Sequence, residues 1–164
     1  MNATALANLL QGLRACSEAR KWTRGKSLSE AWRACDRGDW MLWLCAKMIG
    51  QEGWPTQQQV VLAACSCAER SLKFVRKGDD RPRLAIETAR RWARGEASMS
   101  EVQDDDAAAA AYAAAYAAAD AAADDAAADD ARKDSLRSSA DIIRASISLP
   151  DLEEKTGSEV GVGP

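Results

Sequence analysis

Five cysteines, Cys16, Cys35, Cys45, Cys65 and Cys67, are the side chains with the widest chemical repertoire in this sequence. A thiolate can attack a carbonyl, hold a soft metal or close a disulfide, and each role needs partners at a defined spacing. Cys65-Ser66-Cys67 is a C-x-C pair, and no second close pair completes a four-sulfur metal site. There is no histidine at all, which removes Ser–His–Asp triads, Cys–His dyads and every mixed Cys/His zinc site. Cys16, Cys35, Cys45 and Cys65 fall among apolar neighbours in predicted helices, where a free thiol behaves as a small hydrophobe. The expectation is therefore thiols that pack a core. Their odd number, with no secretory leader before them, points to a reducing, cytoplasmic setting.

The carboxylates are the other candidates. They are scattered, with no nucleophile–base pattern around them, so neither an enzyme nor a cofactor is expected. The aspartate pairs Asp124/Asp125 and Asp129/Asp130 lack the glycine and bidentate glutamate of a calcium loop. Their distribution is more telling than their chemistry. Residues 1–103 carry 17 basic and 11 acidic side chains, a net of +6, whereas residues 104–164 carry 5 basic and 14 acidic ones, a net of −9. Such asymmetry points to a binding role or to two halves that neutralise each other.

The elements that must position these groups read as helices throughout, because no stretch alternates apolar and polar residues with period two. A first helix is expected from about Ala3 to Arg20, with Leu6, Leu9, Leu10 and Leu13 on one face. After a loop at residues 23–26, Ser27 or Ser29 caps a short helix carrying Trp32 and Cys35. Asp39 is the expected N-cap of the next, which carries Trp40, Met41, Trp43, Leu44 and Met48. Gly50, Gly53 and Pro55 break the chain, and a helix from Thr56 to about Arg76 follows, striped by Val60, Val61, Ala64, Cys65, Ala68, Leu72 and Val75. Gly78 and then Asp79 or Asp80 punctuate the start of another, with Pro82 in its first turn and Leu84, Ile86, Ala89 and Trp92 facing inward until Gly95. All six tryptophans precede residue 100 and are expected in the core. No apolar run reaches the roughly 18 residues of a membrane span, so no membrane contact is expected.

Between Ala107 and Ala131, 18 of 25 residues are alanine, and no glycine or proline occurs from Gly95 to Pro150. Alanine is the strongest helix former, so one long helix from about Ser100 to Ser146 is expected. Tyr112, Tyr116, Asp120 and Asp124 drift slowly around its surface, while Asp125 and Asp129 lie opposite and Asp130 returns to the start. These seven residues are the candidate partner-binding set. Two readings stand beside each other: a solvated helix kept soluble by its aspartates, and an acidic rod that meets a basic surface, including one that takes the place of nucleic-acid phosphates. Larger apolar residues return at Leu136, Ile142, Ile143 and Ile147, so the end of the helix is expected to pack back onto the body. Residues 150–164 read as a disordered tail.

Residues 70–94 form a basic stretch containing Arg70, Lys73, Arg76, Lys77, Arg81, Arg83, Arg90, Arg91 and Arg94. A nucleic-acid-binding module is the alternative function it suggests. Glu69, Asp79, Asp80 and Glu87 dilute the stretch, and no recognised DNA- or RNA-binding motif is present, so a solvated face or a dock for the acidic helix is preferred.

Three segments carry a resemblance: AWRACDRGDWMLWL (Ala31–Leu44), ACSCAER (Ala64–Arg70) and GDDRPRLAIETARRWARGEA (Gly78–Ala97), followed by the alanine-rich helix. Together, over roughly residues 28–147, they resemble the immunity proteins of bacterial polymorphic toxin systems. The most specific part is the Gly-Asp-Asp-Arg-Pro-Arg turn with its Trp-Ala-Arg-Gly-Glu-Ala helix end. The resemblance implies a helical protein, of bacterial or phage origin, that neutralises a cognate toxin by tight binding, and it transfers no binding or catalytic residue. Relatives mix Arg and Trp with Asp among their alanines, whereas this chain uses almost only Asp, so a partner surface different from theirs is expected; the partner expected from the acidic helix is a cognate toxin with a basic surface. The expected organisation is all-α: a Trp/Cys-rich helical bundle over residues 1–98, a long Ala/Asp helix over 99–149, and the tail.

Overall fold

The structure, a computed structural model, describes residues 1–98 and 126–149, with side chains from Asp129 onward in the second stretch. Among these residues the class is all-α. The elements are α1 (Ala3–Gly12), α2 (Ser17–Trp22), α3 (Leu28–Ala34), α4 (Gly38–Lys47), α5 (Gln57–Glu69), a 3-10 helix (Arg70–Phe74), α6 (Arg81–Ala93) and α7 (Ala126–Ser146). The expected helical course of residues 99–125 and the expected tail at 150–164 lie outside the described residues. The chain divides into two compact units, whose described parts are residues 1–33 with Leu149, and residues 34–98 with 126–148.

In the first unit, Asn2 caps α1 by accepting the Ala5 N–H at 2.9 Å, and Leu6 and Leu10 are buried. The single helix expected to Arg20 is broken after Gly12. Arg14 adopts φ +57°, and the Arg14 and Ala15 N–H groups close onto the carbonyls of Gln11 and Leu10 at 3.0 and 2.9 Å. That is a Schellman closure with arginine where glycine usually sits, so no local residue signals it. Cys16 then serves as the N-cap of α2, its Sγ accepting the Ala19 N–H at 3.4 Å. Ser27 and Glu30 form a reciprocal capping box at the head of α3: the Ser27 N–H donates to Glu30 Oε2 at 2.7 Å, and the Glu30 N–H to Ser27 Oγ at 3.3 Å.

The second unit is built around α5. Thr56 and Gln59 form a capping box at its start. Cys65 and Ala68 then meet Ile86 and Ala89 of α6, with Val61 and Leu72 at the edge of the cluster. The helix expected to reach Arg76 stops at Glu69. The 3-10 helix follows, which keeps Leu72 on this cluster, and Val75 is already extended at ψ 140°. Gly95 ends α6 at φ +76°, with Gly95 and Glu96 donating to the Trp92 and Arg91 carbonyls, both at 2.8 Å. Ile86 and Ala89 point inward as expected, but Leu84 is half exposed, because the inward stripe runs through Ala85, Ile86, Thr88 and Ala89.

The last helix, α7, packs against both α4 and α5. Ala140, Ile143 and Ile147 are fully buried, and Leu136 and Ile142 are partly covered, in keeping with the expected return of this end to the body. The approach to α4 is close. A Cβ added at Gly38 would stand 2.6 Å from Ser139 Cβ and 2.8 Å from the Ala140 nitrogen. That contact calls for glycine at position 38, the first residue of α4, and the expected N-cap Asp39 lies inside the helix. Asp39 instead pairs with Arg37 through two hydrogen bonds of 2.9 and 2.6 Å, and the Arg37 guanidinium lies 4.3 Å from the centre of the Trp40 ring. The Cys67 thiol donates to the Ser139 carbonyl at 3.8 Å, and Arg144 Nη1 donates to the Cys35 carbonyl at 2.6 Å.

The tryptophans correct the sequence expectation. All six are only half-buried, while the fully covered positions belong to Leu, Ile, Met, Cys and Ala. Where helices approach as closely as α4 and α7, small side chains fit and an indole does not; its N–H also needs a polar partner.

Candidate protein-binding surface

Four of the five thiols are closed off. Cys35, Cys45, Cys65 and Cys67 are buried, Cys16 is exposed, and all five are free. Burial pushes the Cys45 thiol up to about 12 and raises Cys35, Cys65 and Cys67 as well. Such thiols are inert, which agrees with a packing role for these four. Cys16 departs from that expectation as an exposed helix cap. Ellman's reagent should therefore titrate a single fast-reacting thiol in native buffer and all five in denaturant; a second fast native thiol would contradict the burial. Because the folded state holds the buried protons to higher pH than the unfolded state, this stabilisation is complete below about 9. It falls as pH rises towards 12, visible as a declining urea midpoint. Among the described residues no group of three or more Cys, Asp or Glu side chains could hold a metal ion.

Of the seven acidic-helix candidates, Tyr112, Tyr116, Asp120, Asp124 and Asp125 lie outside the described residues. Asp129 and Asp130 are exposed in the first turns of α7, and Lys133 reaches both, at 2.7 and 3.7 Å. Further along, Asp134 pairs with Arg137 at 3.2 Å and Asp141 with Arg144 at 2.7 Å. Within α7, Asp129, Asp130, Asp134 and Asp141 are matched by Arg132, Lys133, Arg137 and Arg144, so this part of the chain has no net charge. The Lys133 ammonium holds the Asp129 carboxyl below its ordinary value. Exposed pairs of this kind are weak and exchange readily for a partner's charges.

The basic stretch resolves into two classes of residue. Arg81 grips Asp79 through bonds of 2.8 and 2.6 Å, holding that carboxyl at about 2, and Arg83 spans Asp80 and Glu87 at 3.4 and 2.8 Å. Arg90 crosses from α6 to α5 with a two-pronged bond to Glu69 at 2.9 and 2.8 Å, and Arg94 lies 3.7 Å from Glu96. Every acidic residue flanking the 3-10 helix is thus turned towards an arginine of α6. Arg70, Lys73, Arg76 and Lys77 make no ion pair among the described residues. In their midst, Phe74 is 79% exposed. The basic composition, with Phe74 inside it, was legible in the sequence; which cations are left over depends on the pairing geometry.

Among the described residues the frame is that of a small all-α protein, with the basic stretch running from the 3-10 helix into α6 and Asp129 and Asp130 on α7. Residues 55–138 match the family described as "Imm-5 like putative immunity protein". The chain belongs to this family. The match runs from the head of α5 into α7 and spans both charged segments; the Ala31–Leu44 segment of the resemblance lies outside it. No curated protein and no solved structure matches the chain. No helix among the described residues is long and apolar enough to cross a membrane.

Proposed function

We propose that this protein neutralises a toxin by binding it directly, without catalysis, in the cytoplasm of the cell that makes both. The observation that carries the reading is the family match over residues 55–138. The chemistry of the chain supports it. The chain contains no histidine, the only exposed cysteine serves as a helix cap, and the described charged groups pair with each other or face solvent.

On this reading, Tyr112, Tyr116, Asp120, Asp124, Asp125, Asp129 and Asp130 meet a basic surface of the toxin. The Lys133 bridges to Asp129 and Asp130 are given up to the partner's cations. Charge of this kind accelerates encounter, and apolar contacts supply most of the residence time. The test is co-expression with whichever toxin-like open reading frame is found next to its gene. The chain should restore growth and co-purify with the toxin, and the complex should weaken steeply between low and high salt. Growth arrest undiminished by the chain would remove the reading. A complex indifferent to salt would remove the acidic contact and leave neutralisation standing.

A further inference from the structure

Phe74 is the most exposed large apolar side chain among the described residues, while Leu72, two positions earlier, is packed against the Cys65–Ala68–Ile86–Ala89 cluster. The 3-10 helix is therefore fixed on its inner side and presents an aromatic ring on its outer side. In such a helix, residues three apart share a face, which places Arg70 and Lys73 together; Arg76 and Lys77 follow directly after Phe74. The carboxylates nearest in sequence are turned to other cations, Glu69 to Arg90, Asp79 to Arg81 and Asp80 to Arg83. An exposed phenylalanine leaves apolar surface in water that burial in a partner would remove. Lys73 Nζ lies 4.8 Å from the centre of the Phe74 ring, and a cation beside an exposed ring selects against like-charged partners and favours a surface that offers carboxylates around an apolar recess.

We propose that Arg70, Lys73, Phe74, Arg76 and Lys77 form a second docking surface, which takes an acidic protein surface with an apolar pocket for the Phe74 ring. For the identity of the partner this rests on the toxin-binding reading; for the chemistry of the surface it does not. The interface is bipartite, with an acidic patch of the toxin seated on the 3-10 helix and a basic one on the aspartates.

Two variants test it, Phe74→Ala and Lys73→Glu/Arg76→Glu/Lys77→Glu. All four side chains are exposed, so both variants should keep the wild-type urea midpoint, which is measured first. Binding is then read against the inactivated domain of the toxin that the co-expression test identifies. Phe74→Ala should weaken it about 30-fold, and the charge reversal by at least about tenfold. Wild-type affinity in both variants overturns the surface while leaving neutralisation intact. If the wild-type chain does not bind that domain, neutralisation fails. The surface is then judged by fluorescence anisotropy with a labelled acidic peptide, in which glutamates alternate with leucines, and with labelled oligo(dT). Peptide binding that both variants lose supports it. Peptide binding that the variants retain, no peptide binding, or tighter binding of oligo(dT) overturns it. Peptide binding that appears only after Asp104→Asn/Asp105→Asn/Asp106→Asn also overturns it, by showing that the chain's own acidic stretch is the occupant.

Discussion

Replacing Ile143 with alanine should remove about 2–5 kcal/mol of folding stability, the usual cost of deleting a fully buried isoleucine side chain beyond Cβ. Ile143 is 0% exposed on the face of α7 that packs against α4 and α5, with Ala140 and Ile147 a turn away on either side. Close-packed helices relax poorly around a void, so the cavity adds to the lost transfer energy. Against a total stability of about 5–15 kcal/mol, the loss is large enough to move the urea midpoint well down. Ile142→Ala, one residue away and only partly covered, should cost distinctly less. Equal shifts for the two variants would mean that α7 does not hold the position described.

Gly38→Ala should destabilise the protein even though alanine is the better helix former. The propensity gain is at most about 1 kcal/mol. Against it stands a Cβ at 2.6 Å from Ser139 Cβ, 2.8 Å from the Ala140 nitrogen and 2.9 Å from the Ser139 carbonyl carbon. Two of these are backbone atoms of α7, which no rotamer change can move aside. Overpacking of this kind typically costs about 1–3 kcal/mol, so the clash decides the sign. Gly12→Ala is the control, since nothing lies within 4 Å of the added methyl group there; it should be neutral or stabilising. Parallel thermal unfolding of the two variants checks the contrast, and a shared upward shift would refute the α4–α7 contact.

The helical class was legible because heptad-like apolar spacing, glycine stops and capping residues agree with one another along the chain. Ser27, Thr56, Pro82 and Gly95 each stand where the sequence puts them. What was not legible is backbone conformation and pairing that no residue type marks. Arg14 takes a left-handed conformation that its side chain does nothing to favour, so the break between α1 and α2 carries no local mark. The end of α5 at Glu69 is similarly silent: residues 70–76 contain no glycine or proline, and the inward packing of Leu72 overrides a continuous helical pattern. For the binding surface, the sequence showed the charges but not their pairing. Arg81, Arg83 and Arg90 are indistinguishable in type from Arg70 and Arg76, and only geometry shows which three are neutralised.

The seating of α7 on α4 joins parts of the chain made roughly a hundred residues apart. At about 5–20 residues per second, a ribosome takes some 5–20 s to travel from Lys47 to Ile147. From the time each is made, the apolar sides of α4 and α5 are without the cover that Ala140, Ile143 and Ile147 later supply. A nascent product that stops short of these residues leaves a greasy flank for chaperones and proteases to find. A product truncated before Ala140 should therefore be cleared faster than the full-length chain, which a pulse-chase of the two would show.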